Sequence, residues 1–169
     1  MVHTAQGPGW FWNDYTYGTR QRYTSKIQRC YFTWKYFYEI INNANYIISA
    51  RRTAEGDRNS IDCIIAQALA ARAFSYFMLI QTYQQTYIGH ETLPGVPLYT
   101  EPTTSTSDGK GRGTVEDVYE QINKDLDEAI ELFSICGISQ KHISNLDYYS
   151  TCLLKARVAL VQNNWADAE

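Results

Sequence analysis

The sequence is short of the residues from which catalytic and metal sites are usually built. It carries three histidines and four cysteines in 169 residues. His3, His90 and His142 stand far apart in loop-type sequence, without metal-ligand spacing. Cys30, Cys63, Cys136 and Cys152 make no Cys-x-x-Cys pair, so free thiols are expected rather than a disulfide framework or a redox motif. No Gly-x-Ser-x-Gly motif occurs. The glycines at 109, 111 and 113 alternate with Lys110 and Arg112 but lack the order of a phosphate loop. The carboxylates between 116 and 131 fall on an exposed helix face. An enzyme, a metal and a cofactor are therefore not expected. Charge of one sign is scarce too: 15 Lys and Arg against 18 Asp and Glu leave a net charge of −3, with no basic footprint for nucleic acid or an anionic membrane. No run of 18 uncharged apolar residues exists. The nearest, Ile61 to Tyr83, contains Asp62, Gln67, Arg72 and Gln81, so no membrane-spanning helix is expected. Met1 to Gly7 has neither a charged start nor an apolar core and is not read as a signal peptide, so the residues alone would suggest a cytoplasmic chain.

Aromatic residues are plentiful: 14 Tyr, 6 Phe and 4 Trp. They combine large apolar area with polar edges, which suits helix packing and also sugar or protein surfaces. With 44% apolar and 20% charged residues, the chain can bury a core as one domain, 1–169. Residues 1–25 read as irregular, because Gly7, Pro8, Gly9 and Gly18 punctuate the aromatic run. From Ser25 to Ala50, Ile27, Tyr31, Trp34, Tyr38, Ile41, Ala44 and Ile48 recur at helical spacing. Ser60 is the expected cap of a second helix through Tyr83. Its apolar residues, among them Ile64, Ile65, Leu69, Phe74 and Phe77, run nearly all round, as in a helix buried on several sides. Arg72 within it is expected to be a paired structural arginine rather than a ligand clamp.

Residues 84–113 read as a long connection, stiffened by Pro94, Pro97 and Pro102 and mobile from Thr103 to Gly113. Thr114-Val115-Glu116-Asp117 is close to a capping box, and Val115, Val118, Ile122, Leu126, Ala129, Ile130 and Phe133 form one apolar stripe behind it. Gly137 closes that helix. Asn145 is the expected cap of a last full helix through Gln162, carrying Tyr149, Leu153, Ala156 and Leu160. An Asn163-Asn164 turn then leads into Trp165-x-x-Ala168. Helix, turn and Trp-x-x-Ala is the pattern of a tetratricopeptide (TPR) unit, with Ala156 and Ala168 as its small crossing residues. Because one helical turn does not hold alone, the last repeat reads as truncated.

Taken in order, these features resemble the SusD/RagB family of nutrient-binding proteins of the Bacteroidetes outer membrane. Trp34-x3-Tyr38-x2-Ile41-x2-Ala44-Asn45 looks like the family's first long helix, and Ala71-Arg72-Ala73-Phe74-x2-Phe77 like its central one. The most specific match is Gly95-Val96-Pro97-Leu98-x2-Glu101-Pro102. Arg112-x-Thr114-Val115 leading to Asp125-Leu126, then Leu153-Leu154-x-Ala156-Arg157-Val158 to Trp165, complete it. Gln67, Gln84 and Ala159 depart from the pattern. At Gln84 a left-handed glycine is frequent, and a non-glycine there would cost about 1–2 kcal/mol unless the chain leaves by another route.

The resemblance implies an all-α, TPR-like helical bundle (26–169) with long loops. It also implies a longer parent that is a lipid-anchored lipoprotein on the outer-membrane surface. The implied function is non-catalytic capture of a glycan or other nutrient, and the implied partner is a TonB-dependent, SusC-like transporter. A TPR-type scaffold for protein partners, with no small-molecule ligand of its own, is the alternative. For ligand contact the sequence offers Trp10, Trp12, Tyr15 and Tyr17, flanked by Asn13, Asp14 and Arg20. Rings stack on the C–H faces of sugars while polar neighbours fix hydroxyls. The competing reading of these rings is packing of the N-terminal segment.

Overall fold

The computed structural model describes residues 28–137 and 145–168. Its elements are α1 (Gln28–Ser49), a 3-10 turn (Ala50–Arg52), α2 (Arg58–Tyr83), β1 (Pro94–Pro97), β2 (Arg112–Thr114), α3 (Val115–Cys136), α4 (Tyr148–Val161) and the one-turn α5 (Trp165–Ala168). The architecture is helical, with a single small antiparallel ribbon among the described residues. The chain divides after Tyr36 into two units. Of the first, the opening turns of α1 are described, with the rings of Tyr31 and Phe32 5.9 Å apart. The second, from Phe37 onward, holds the helical core and the ribbon.

The core forms where α2 and α3 pack side by side. Cys63, Ile65, Ala66, Leu69 and Ala70 of α2 meet Ala129, Leu132, Phe133 and Cys136 of α3, with Ile48 and Leu146 closing the cluster. The start of one helix meets the end of the other, so the pair is antiparallel. Alanines at 66, 70 and 129 let the backbones approach closely, and burial of the larger neighbours supplies the driving force. By length and composition α2 could cross a membrane. Here it is the central core helix, with 14 residues buried and only Ile64 and Phe74 of its mid-helix apolar residues exposed. None of the four cysteines is in a disulfide.

Two helix starts differ from the sequence expectation. Asp57, not Ser60, caps α2: its carboxylate accepts the Ser60 N–H at 2.8 Å, so the helix begins three residues earlier. Asp147, not Asn145, caps α4 and forms a reciprocal box with Ser150. In both places an aspartate three residues before a serine gives the caging geometry. The Thr114–Asp117 box of α3 is present as expected. The next two N–H groups of α3 are also satisfied, since Val115 and Glu116 donate to the carbonyls of Leu93 and Glu91. Gly137 ends α3 in the left-handed conformation, φ 60°. Gln84 leaves α2 extended (φ −129°, ψ 176°), so no left-handed strain arises there.

The face of α4 is a larger correction. Of the expected stripe, Tyr149, Leu153 and Leu160 are exposed, at 79%, 65% and 47%, and Ala156 is half-buried, while Thr151, Leu154, Val158 and Ala159 are buried. The helix is apolar nearly all round, so periodicity alone cannot choose between its faces. Packing on α3 decides. A hydrogen bond from Asn123 to Gln162 and the Lys155–Asp127 ion pair tie the two helices, and the Arg157 guanidinium lies 6.0 Å from the centre of the Phe77 ring. After α4, Asn163 takes the left-handed turn (φ 55°) before α5, as the Asn-Asn pair predicts.

Candidate functional site

All seven residues offered for ligand contact, Trp10, Trp12, Asn13, Asp14, Tyr15, Tyr17 and Arg20, lie outside the described residues. Within them, the densest polar chemistry surrounds the segment from Pro94 to Thr103.

This segment is held at both ends. At its start, β1 pairs with β2 across a register break, Pro94 opposite Thr114 and Pro97 opposite Arg112. Proline and glycine argue against a strand in sequence, which is why the segment reads there as a plain loop. The ribbon tolerates them because it has only two strands and an irregular ladder. The Arg112 side chain donates to the carbonyls of Gly95 (2.7 Å) and Pro94 (3.2 Å). Gly95 is required by contact: a Cβ there would lie 2.3 Å from the Thr114 carbonyl oxygen and 3.0 Å from Val118.

Beyond the ribbon, side chains from α1 and α2 bind the main chain. The Tyr38 hydroxyl donates to the Pro97 carbonyl at 2.8 Å. The Tyr76 hydroxyl donates to the Tyr99 carbonyl and accepts the Tyr99 N–H. The Asn45 amide reaches the carbonyls of Tyr99 and Glu101. Asn42 brackets Thr103, donating to its carbonyl and accepting its N–H. Arg72 lies at the centre. Its guanidinium makes two 2.7 Å hydrogen bonds to the Asp125 carboxylate, a third to Asn45 Oδ1, and a longer one to the Thr100 carbonyl. Arg72 and Asp125 are both nearly inaccessible, and no buried side-chain polar atom among the described residues lacks a partner. A buried charge is tolerable only when paired and hydrogen-bonded in this way. Arg72 is thus the structural arginine the sequence suggests, with its charge spent inside the protein. Burial pushes the hydroxyl pKa of Tyr38 and of Tyr76 well above the ordinary phenol value, so both remain donors. Tyr119, buried against Tyr87 at 4.8 Å, is pushed up to about 12 by that burial.

The sequence does not single out Asn45 as a clamp. The available signal is a polar side chain set into the Ile41–Ala44–Ile48 stripe. Asp125 carries the same signal between Ile122 and Leu126.

Next to the clamped segment lies an open groove of about 520 Å³. It is lined by Leu98, Gly111 and Gly113 and by Asp117, Glu120, Gln121 and Lys124 of α3. Gln121 donates to Asp125 Oδ1 at 2.7 Å, joining the groove to the buried pair. Among the described residues no group of three His, Cys, Asp or Glu side chains could hold a metal. The groove offers hydrogen-bonding groups and no arrangement of nucleophile and base.

Residues 6–150 match the family model described as SusD-like, "starch-binding associating with outer membrane". The chain belongs to this family. Its solved relatives include a SusD-like carbohydrate-binding protein of Bacteroides vulgatus, 28% identical with a TM-score of 0.75 over 80% of this chain and 29% of that one. A laminarin-binding SusD-like protein is 27% identical, with a TM-score of 0.65 over 81% and 28%. A SusD superfamily protein of Bacteroides fragilis is 26% identical, with a TM-score of 0.67 over 80% and 32%. No curated protein matches. This SusD-like chain spans less than a third of the length of each of these structures.

Proposed function

We propose that the chain is part of a non-catalytic, surface-exposed component of an outer-membrane glycan-uptake system. The observation that carries this reading is the family match over residues 6–150, which extends from the aromatic N-terminal segment through the Arg72 clamp and into α4. Relatives that bind carbohydrate, one of them laminarin, support a saccharide as the nutrient. A lipid anchor and a TonB-dependent, SusC-like transporter partner complete the proposal, which treats the 169 residues as one partial helical domain.

The proposed ligand surface is the segment bearing Trp10, Trp12, Tyr15 and Tyr17, where rings stack on sugar faces and Asn13, Asp14 and Arg20 hold hydroxyls. The clamp then has a mechanical role, fixing the scaffold without touching ligand. Calorimetry against laminarin and soluble starch tests the assignment. Replacing Trp10 and Trp12 by Ala should weaken the binding of whichever polysaccharide the chain takes by roughly tenfold or more. Unchanged affinity would remove the aromatic segment from the site.

A further inference from the structure

We infer that the groove between Leu98 and α3 is a second saccharide contact, one that works by hydrogen bonds without an aromatic platform; this rests on the glycan-binding reading above. The groove has unused bonding capacity. Glu120 and Lys124 stand four residues apart on α3, in the order that favours an ion pair, yet neither side chain makes a hydrogen bond or an ion pair among the described residues. Gln121 spends its amide N–H on Asp125 and leaves its carbonyl oxygen available. Asp117 uses Oδ2 for the Thr114 N–H and leaves Oδ1 available. One wall of the groove therefore offers three acceptors and one ammonium donor within two turns of helix.

Gly111 and Gly113 line the groove without side chains, so a ligand could approach the main chain. Adding a Cβ at Gly113 would place it 2.8 Å from Asp117 Oδ2. Alternating acceptors and a donor match the vicinal hydroxyls of a neutral sugar, each of which donates and accepts. A phosphate backbone would meet two carboxylates and one lysine, which is unfavourable. Among the described residues no third His, Cys, Asp or Glu joins Asp117 and Glu120 in a metal-binding group. The mounting is rigid, because Gln121 is joined through Asp125 to the buried Arg72.

The test is affinity electrophoresis of the 169-residue chain through native gels containing laminarin or soluble starch. The double variant Glu120→Ala/Lys124→Ala removes one charge of each sign and keeps the net charge at −3. Its mobility without polysaccharide should equal that of the parent, as should its melting temperature, because both side chains are exposed and unpaired. Retardation by the polysaccharide that holds the parent should weaken by roughly three- to tenfold. Equal retardation of parent and variant would overturn the groove as a contact and leave the glycan-binding reading standing. A parent that neither polysaccharide retards would overturn that reading, and this inference with it.

Discussion

α2 and α4 have the same kind of sequence and opposite surroundings. Both are apolar nearly all the way round. α2 finds neighbours on most sides: α3 along its length, β1 near its end, and a buried arginine with every charge-assisted bond made. α4 packs on α3 with one face and leaves Tyr149, Leu153 and Leu160 exposed on another. An all-round apolar pattern states how much surface a helix could bury. Which part it does bury depends on the elements around it.

The contrast can be broken most forcefully at the buried pair. Asp125→Ala leaves Arg72 charged, buried and without its carboxylate. It should cost about 3–5 kcal/mol in denaturant titration. A loss below about 1 kcal/mol would mean that water reaches the arginine.

Next come matched truncations on the two helices. Leu69→Ala, at a position 1% exposed, should cost about 2–5 kcal/mol. Leu153→Ala, at 65% exposure, should stay within about 0.5 kcal/mol. Similar losses would show that the outer face of α4 is covered in solution.

The smallest effect concerns pH. Hydrogen bonds from Ser60, Thr114 and Ser150 hold the cap carboxylates of Asp57, Asp117 and Asp147 below the ordinary aspartate value. A depressed folded-state pKa gives stability that is present above the unfolded value and is lost as pH falls through the folded one. Melting temperature should therefore decline from about pH 4 downward. The decline should be shallower in Asp57→Asn/Asp117→Asn/Asp147→Asn, where asparagine still caps but does not titrate. Parallel declines would show that these charges contribute nothing.

Where local chemistry decides the structure, the sequence was informative. The Thr114–Asp117 box, the Gly137 stop and the Asn163 turn follow from side chains within four residues of the event. The α1 stripe follows in part: Ile41 and Ala44 are buried, but Tyr31 is exposed and Phe37, off the stripe, is buried. The central position of α2 and the pairing of Arg72 could also be read, because a lone arginine in an apolar helix must find a partner. Less legible were features set by distant residues. Nothing local distinguishes the two faces of α4. The Pro94–Pro97 strand exists only because Arg112–Thr114 lies beside it. For the proposed aromatic site, support comes from sequence and family membership, since residues 10–20 lie outside the described region.

The clamp around residues 97–103 has one property with wider reach. Its donors, Tyr38, Asn42, Asn45, Arg72 and Tyr76, are addressed to carbonyl oxygens of Pro97, Tyr99, Thr100, Glu101 and Thr103. Every amino acid supplies that oxygen. The path of the segment is therefore encoded in the helices beneath it and is largely indifferent to its own outward side chains. Those positions can be rewritten while the course of the chain stays fixed, so the part that displays chemistry can diversify at little cost to the part that folds.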